Sequence, residues 1–283
     1  MKKKIIAGML KLVAHLPLPV LYAISDFIYF VVYHVIGYRR KVVVKNLTES
    51  FPLKNAKEIA KIEKGFYHFL GDVMVETVKL FNISPDEMSR RVEVFDAEEV
   101  NNSLRNGRNA VLLMGHYCNW EWAQEITRYF LPGSFQASIY HPLNNKMWDE
   151  IFLSLRSRWG AHIVPQKKAP RILLDRDHFP WVCGFIADHR PAYGAHINTL
   201  QFLHHDTDFI YGPEEIGEKV GADFFYLEMH RPKRGYYTIR FKKLEKTGED
   251  KPFPYTRAFW HEFEQTIKAA PAFWLWSHKR WKK

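Results

Sequence analysis

The stretch that decides the fold is residues 109–124, NAVLLMGHYCNWEWAQ. Residues 110–114 are wholly apolar, a pattern typical of a strand buried on both faces in a sheet that helices cover. His116 follows this strand almost at once, and Asn119 is placed to cap a helix that continues through residues 122–126. Open α/β folds place their sites in the crevice beyond the strand ends. The sequence therefore predicts a site around His116.

Glu121 stands five residues after His116. On one continuous helix the two side chains would point about 140° apart, but a histidine in the turn and a glutamate in the first helical turn can face each other. A carboxylate there can hold one ring nitrogen and leave the other free to take a proton, as a general base requires. The alternative is an ordinary turn histidine followed by a first-turn glutamate that the helix dipole favours.

The charge balance predicts anionic partners. The chain of 283 residues has 41 basic and 31 acidic side chains, a net charge of +10, which is typical of proteins that bind nucleic acid or a phospholipid surface. Nine tryptophans and 16% aromatic residues favour the membrane. The two cysteines, Cys118 and Cys183, form no disulfide framework and no metal-ligand spacing, so we expect both to be small buried residues in a reducing compartment.

Residues 1–41 combine a charged start with a long apolar run but lack a small-residue cleavage site, so we expect them to stay in the mature chain. Residues 20–37 are only about long enough to span a bilayer and include Asp26, so we favour a helix lying in the cytoplasmic leaflet. The alternatives are a single span and a buried core helix. The side chains expected to face the lipid are Leu21, Ile24, Ile28, Val31 and Val35, and the opposite face carries Tyr22, Asp26, Tyr29 and Tyr33.

No repeat, low-complexity tract or Gly/Ser linker interrupts the rest of the chain, so residues 42–283 are predicted to form one folded unit behind the membrane-binding segment 1–41. The periodicities predict helices over residues 56–81 and 97–106, and a capping box at residues 84–87 with proline at the first helical position predicts the start of another. Strands are predicted over residues 91–96, 110–114, 135–140, 179–187, 223–228 and 236–242.

A second apolar strand, residues 179–187, delivers Asp188, His189 and Arg190 at its carboxyl end. Since two strand ends then meet at one edge of the sheet, these side chains are expected to converge with His116 and Glu121. The alternative for Asp188 is a turn or helix-cap aspartate. The run 204–206, HHD, is not predicted to bind a metal, because neighbouring residues on a strand point to opposite faces.

The motif GHYCNWE, residues 115–121, resembles the His-x4-Asp/Glu motif of glycerolipid acyltransferases, in the form found in the bacterial lipid A late acyltransferases. Residues 140–160 resemble the second motif of that family, in which a tyrosine and an Asn-rich turn precede two arginines on a helix. The matching positions here are Tyr140, Pro142, Asn145, Asp149, Arg156 and Arg158, whereas His141 stands where the family usually has arginine.

Two later segments extend the resemblance to most of the chain. Asp188 matches the aspartate that opens the family's Asp-His or Asp-Gln pair. The closing segment, residues 271–283, is close to the family's Pro-x-x-Trp-x-Trp-x-His-x-Arg pattern, and its tryptophans interleave with lysines and arginines. We interpret that interleaving as a surface for a membrane interface or an anionic lipid headgroup.

The resemblance implies an α/β fold with a central, mostly buried mixed sheet flanked by helices. It also implies an enzyme at the cytoplasmic face of the bacterial inner membrane that needs no cofactor. Acyl carrier protein or coenzyme A would supply the acyl thioester, and a hydroxyl of an anionic glycolipid, a lipid A precursor in lipopolysaccharide biosynthesis, would accept the chain.

Within that reaction His116 would take the hydroxyl proton and Glu121 would orient His116. Arg156, or backbone N–H groups near Asn119, would stabilise the oxyanion. Two positions apart on a helix, Arg156 and Arg158 point about 200° from each other and are not expected to share one phosphate. The residues expected to bind substrate are Arg156, Arg158, Asp188, Tyr140, Asn145 and Arg190.

Three alternatives stay open at this point. The same chemistry could act on another acceptor, such as a phosphatidylinositol mannoside or an aminolipid. A catalytically silent lipid-binding protein of the same fold is a second possibility, against which the presence of both His116 and Glu121 argues. A nucleic-acid-binding protein is suggested by charge alone, and no recognised motif supports it.

Overall fold

The structure, a computed structural model, describes residues 2–191, 197–247 and 251–281, with the backbone alone for residues 2–4. Its strands are β1 (Val92–Phe95), β2 (Ala110–Met114), β3 (Phe135–Tyr140), β4 (His162–Pro165), β5 (Trp181–Ile186), β6 (Asn198–Phe202), β7 (His205–Phe209), β8 (Asp223–Lys233) and β9 (Tyr236–Lys243). The α-helices are α1 (Lys2–Ala14), α2 (Leu18–Tyr29), α3 (Arg40–Ser50), α4 (Ala56–Lys79), α5 (Pro85–Arg91), α6 (Ala97–Arg105), α7 (Lys146–Arg156), α8 (Ala169–Leu173), α9 (Gly212–Lys219) and α10 (Pro254–Ala269).

Within the described residues, seven strands form one sheet in the order β1-β9-β8-β2-β5-β3-β4, and β6 pairs with β7 in a separate hairpin. Neighbours in the large sheet are parallel except β8 and β9, which are antiparallel. All five residues of β2 are buried, as its apolar composition predicts for a central strand. The predicted α/β class, with a mostly parallel central sheet flanked by helices, is confirmed.

The predicted strands match the observed ones most closely where the apolar runs are sharpest. The two strands predicted over residues 110–114 and 135–140 have the observed bounds of β2 and β3. Helix α4 begins where the apolar periodicity predicted and is capped by Asn55, whose side chain accepts N–H bonds from Lys57 and Glu58. The short strand β4 and helix α10 carry no pattern that the sequence analysis recognised.

The N-terminal helical segment, residues 2–36, presents apolar side chains to the outside. Its stretch Leu18–Ile36 continues α2 as a π-helix, has a mean hydropathy of 1.6, and is long and apolar enough to cross a membrane by length and composition. Its exposed large apolar side chains are Ile5, Met9, Leu12, Val13, Val20, Ile24, Phe27, Phe30, Val35 and Ile36. This apolar face fits an association with a membrane.

The face predicted to meet the lipid is confirmed as exposed at Ile24 and Val35 but is wrong at Leu21. Leu21 is fully buried, whereas Val20 and Phe27 are exposed. The reason is that the polar face of α2 packs on α4 through hydrogen bonds, which turn Leu21 inward. Ser25 Oγ donates to Asp72 Oδ1 at 2.7 Å, and Gly71 allows this approach because a Cβ there would lie 2.9 Å from the Ser25 carbonyl oxygen.

Glu76 on α4 joins three parts of the molecule. Its buried carboxylate accepts hydrogen bonds from Tyr22 of α2 at 2.8 Å, from Tyr237 of β9 at 2.6 Å and from Asn119 Nδ2 at 2.6 Å. Burial raises the pKa of this carboxyl. One acceptor therefore ties the N-terminal segment and the sheet to the loop that follows β2.

A second buried carboxyl, Glu125, is less well satisfied. It is fully buried in the 3₁₀ helix Trp122–Tyr129, and its Oε2 accepts no hydrogen bond from the described residues. Its neighbours are the Arg128 guanidinium, 3.5 Å from Oε2, and the Tyr129 hydroxyl, 3.3 Å from Oε1. Burial raises the pKa of Glu125 to about 7.

Glu125→Gln is expected to stabilise the fold at pH 8 and to change it little at pH 5. A raised pKa means that Glu125 contributes full stability below its unfolded pKa of about 4.5, and that this contribution is lost as pH rises through about 7. The shift corresponds to a gain of about 3 kcal/mol at most at pH 8. Urea unfolding at both pH values measures it, with the exposed Glu215→Gln as control. An equal effect of Glu125→Gln at both pH values would contradict this reading.

Candidate active site

Two parallel strand ends bring His116 and Asp188 together. In the register of β2 and β5, Met114 lies opposite Ile186, so the residues two positions further along each chain meet just beyond the sheet. Asp188 Oδ1 lies 2.7 Å from His116 Nδ1, and Asp188 Oδ2 accepts the backbone N–H of His116 at 3.0 Å. The predicted convergence of the two strand ends is confirmed for this pair.

The surroundings of Asp188 keep it ionised. Its side chain is buried, and the indole N–H of Trp274 donates to Oδ2 at 2.9 Å. Burial by itself would raise the pKa of this carboxyl, but its interaction with the His116 ring and the Trp274 hydrogen bond hold that pKa well below its usual range. An ionised Asp188 accepts the proton on His116 Nδ1, so the lone pair of His116 is on Nε2.

The segment after α10 forms the third side of the site. Trp274 forms a β-bridge with Tyr117, the Leu275 N–H donates to the His116 carbonyl at 3.2 Å, and the Cys118 N–H donates to the Phe273 carbonyl at 3.0 Å. Sequence reasoning did not predict this contact between the two motifs. The signal was present in the closing motif, whose indole N–H groups each need an acceptor once they are buried.

The membrane-interface interpretation of the closing segment is wrong for its tryptophans. Trp274 and Trp276 are buried in the core, and Trp281 is half-buried with its indole N–H on Thr207 Oγ1 at 2.8 Å. Arg280 is also buried, over the Trp260 ring. Lys282 and Lys283 lie outside the described residues. The ring contacts with the core bury more apolar area than a surface position would, which is why these aromatics face inward.

The turn that carries His116 leaves no room at Gly115. A Cβ built there would overlap the Phe263 ring of α10, so glycine lets the strand end lie against that helix. Cys118 follows in a left-handed conformation, with φ of 51°, and is fully buried. Burial raises the pKa of the Cys118 thiol well above its ordinary value, so a thiolate nucleophile is disfavoured here.

Glu121 does not make the contact that its spacing predicted. Both of its oxygens bind the Arg156 guanidinium, Nε at 2.9 Å and Nη2 at 2.5 Å, and the carboxylate is buried. The expectation that Glu121 holds a ring nitrogen of His116 is therefore wrong in this structure, where Asp188 makes that bond. The physical reason is that a planar guanidinium matches both carboxylate oxygens, whereas a ring nitrogen matches one. A role for Glu121 in catalysis stays a prediction.

The two arginines of α7 and the turn after it point apart, as their spacing predicted. Arg158 donates to the carbonyls of Leu80 and Ile83 in the turn after α4, so its guanidinium joins the turn after α7 to the turn after α4. Arg156 reaches Glu121 instead. Because both guanidinium groups have protein acceptors, neither is a free phosphate clamp in this structure.

The other residues predicted to bind substrate are Asn145, Tyr140 and Arg190. Asn145 is exposed and caps α7, since its Oδ1 accepts the N–H groups of Met147 at 3.0 Å and Trp148 at 3.4 Å. Tyr140 ends β3 and is half-buried. Arg190 is exposed two residues after Asp188. Their roles toward a substrate stay predictions.

Next to His116 the backbone offers unused donors. The Trp122 N–H donates to the Asn119 side chain at 3.0 Å, so Asn119 binds the first N–H of the 3₁₀ helix Trp122–Tyr129, although the residue in the N-cap position of that helix is Glu121. The N–H groups of Trp120 and Glu121 meet no acceptor among the described residues. The Trp120 ring lies edge-on to the His116 ring, with 5.2 Å between centroids, so these donors are in the same loop as the base.

His189 completes the surroundings of His116. Its Nε2 lies 3.2 Å from His116 Nε2, and the two rings are nearly perpendicular. Partial desolvation and the neighbouring His116 lower the pKa of His189 to about 4. The described part of the chain contains no cluster of three or more His, Cys, Asp or Glu side chains that could hold a metal ion. The contact with Asp188 can hold His116 in one tautomer, as a general base requires.

The chain matches one family model over residues 3–283, nearly its whole length, and that model describes the bacterial lipid A biosynthesis acyltransferases. A search among curated proteins finds no relative that matches.

The buried ion pair gives a prediction on stability. Arg156→Met and Glu121→Gln are each expected to lower the free energy of unfolding by about 3 kcal/mol, because either change leaves a charged or polar group unpaired. The double variant is expected to recover much of the loss. Urea unfolding measures all three, with Arg105→Met at the exposed Arg105–Glu98 pair as control, for which less than about 1 kcal/mol is expected. Losses that simply add in the double variant would mean that the two side chains do not stabilise each other.

Proposed function

Because the chain belongs to the family of bacterial lipid A biosynthesis acyltransferases, we propose that it transfers a fatty acyl chain from a thioester donor to a hydroxyl group of a lipid A precursor. The observation that supports this most is the pair of His116 and the ionised Asp188 at the meeting point of two strand ends. That pair uses Nδ1 of His116 and leaves Nε2 as the nitrogen that can take a proton from a substrate hydroxyl.

In the proposed reaction the acceptor hydroxyl gives its proton to His116 Nε2 as its oxygen attacks the thioester carbonyl carbon. Asp188 fixes the tautomer through Nδ1 and stabilises the imidazolium that forms. The tetrahedral intermediate then collapses: the carbon–sulfur bond breaks, the ester bond remains, and His116 returns the proton to the departing thiolate. No residue of the chain becomes covalently acylated, which agrees with the burial of Cys118.

The oxyanion of the intermediate requires hydrogen-bond donors. The unused N–H groups of Trp120 and Glu121 lie in the loop that carries His116, and they support the backbone alternative over Arg156, which is bound to Glu121. In this proposal Glu121 and Arg156 act as positioning residues. Their ion pair fixes the start of the 3₁₀ helix and hence the direction of those two N–H groups.

The net charge of the protein and its exposed apolar side chains support the proposed acyl donor and the proposed attachment to a membrane. A net charge of +10 favours anionic partners, such as acyl carrier protein or coenzyme A on the donor side and an anionic glycolipid on the acceptor side. The exposed apolar side chains of the N-terminal helical segment support attachment to the cytoplasmic face of the bacterial inner membrane. Attachment would bring the site to the surface in which its acceptor lies.

Loss of the base is expected to stop the reaction. His116→Ala should abolish transfer, and Asp188→Asn should lower kcat by about 10²–10⁴-fold because His116 loses its fixed tautomer and its counter-charge. Glu121→Gln should cost about tenfold or less if it acts only through Arg156. The assay incubates protein in vesicles with an acyl thioester and a lipid A precursor and weighs the product. His162→Ala, at the start of β4, is the control.

Three outcomes of this assay would change the proposal. Wild-type turnover by His116→Ala would exclude the mechanism. If the Glu121→Gln variant is folded and loses as much activity as Asp188→Asn, Glu121 acts on the reacting groups directly, as its sequence spacing predicted. An inactive wild-type protein that still binds the lipid would favour the silent lipid-binding alternative.

Membrane attachment is expected to depend on the exposed face of α2 and its continuation. Each large apolar side chain that enters the acyl region contributes about 1.5–3 kcal/mol, so replacing Ile24, Phe27 and Phe30 by Ser should weaken vesicle binding by about a hundredfold or more. Flotation with vesicles that contain anionic phospholipid measures the bound fraction. The matched control replaces exposed apolar residues elsewhere, Leu53, Phe95 and Leu174. Equal binding by both triple variants would place the attachment surface in another part of the chain.

A further inference from the structure

The free nitrogen of His116 already has a partner. When the His116 ring is neutral and its Nδ1 donates to Asp188, its Nε2 can only accept, and the contact of 3.2 Å between the two Nε2 atoms is then a hydrogen bond donated by His189. The pKa of His189, lowered to about 4, keeps that ring neutral near pH 7. A neutral ring with its proton on Nε2 is the species that this bond requires.

This bond occupies the position that a substrate must take. A hydroxyl that transfers its proton to His116 has to lie within about 2.6–3.2 Å of the same Nε2. An imidazole nitrogen has one lone pair, in the plane of the ring, so it accepts one strong hydrogen bond at a time. The acceptor hydroxyl and His189 therefore compete for His116.

His189 is able to leave. Its side chain is exposed, and its ring has aromatic neighbours on two sides, His116 and, with 5.4 Å between centroids, His278. Rotation about the side-chain bonds would free His116 Nε2 while Asp188, one residue earlier, keeps its three hydrogen bonds. The base can thus be uncovered while its orienting partner stays in place.

We propose that His189 covers the base in the free enzyme and so selects the lipid hydroxyl over water as acyl acceptor. The inference rests on the function proposed above. Water that reached His116 would attack the same thioester carbon, break the same carbon–sulfur bond and release fatty acid and free thiol. Water gains nothing but one hydrogen bond when it displaces His189. A lipid acceptor also gains the contacts of its remaining groups, and this remote binding energy drives the displacement.

The test measures the exposure of the base directly. Peptide mass mapping gives the rate at which diethyl pyrocarbonate modifies His116 in the full-length protein without substrates. His189→Ala is expected to raise that rate by about three- to tenfold, the change that corresponds to the loss of one ordinary hydrogen bond. His189→Gln, whose amide can still donate, should stay near the wild type. His162→Ala is the control variant for an unrelated exposed histidine.

A second measurement follows the acyl donor. With no lipid acceptor present, His189→Ala should release free fatty acid from the thioester faster than the wild type by a similar factor, whereas His116→Ala and the double variant should not. With acceptor present, the ratio of hydrolysis to transfer should rise in His189→Ala.

Unchanged modification of His116 in His189→Ala would overturn the proposal, as would lower transfer without any rise in hydrolysis, which would make His189 a residue that binds substrate. If the wild type transfers no acyl chain but His189→Ala still accelerates the modification of His116, the covering role survives and the proposed reaction fails. The two conclusions are therefore tested separately.

Discussion

The site depends on one buried negative charge, the carboxylate of Asp188. A charge inside the protein is stable only when it is paired and hydrogen-bonded, and the three N–H donors to Asp188 come from His116, twice, and from Trp274. These donors are 72 and 86 positions away along the chain. The geometry of His116 is therefore a property of the sheet register and of the packing of α10, and local sequence around the histidine is not sufficient to create it.

Two further buried carboxylates hold the N-terminal segment in place through hydrogen bonds. Asp72 binds Ser25 together with Arg231 and Arg234, and Glu76 binds Tyr22 and Asn119. Since Asn119 also caps the turn that follows His116, the segment with the exposed apolar face and the loop of the site share an acceptor. The exposed apolar face and the geometry of the site are in this way connected through α4.

The sequence predicted those features that depend on near neighbours. The apolar run of β2 and the strand that leads to Asp188 were visible as patterns, and topology alone placed their ends together. Prediction from the sequence failed where the partner residue is distant in the chain. Glu121 was assigned to His116 because the two are five residues apart, but Glu121 is bound by Arg156, 35 positions later. The sequence alone does not show which of the two carboxylates, Glu121 or Asp188, contacts the His116 ring, because that depends on the register of β2 and β5.

The place of Trp274 in the site has a consequence for the order of events during synthesis. A ribosome adds about 5–20 residues per second, so the N-terminal helical segment emerges roughly 10–50 s before the tryptophan that supplies the last donor to Asp188. Throughout that interval the growing chain already exposes the apolar face that fits a membrane, while its charged carboxylate lacks one of its partners. The nascent protein thus presents this apolar face before its site is complete, and Asp188 gains its third donor only after Trp274 has been synthesised.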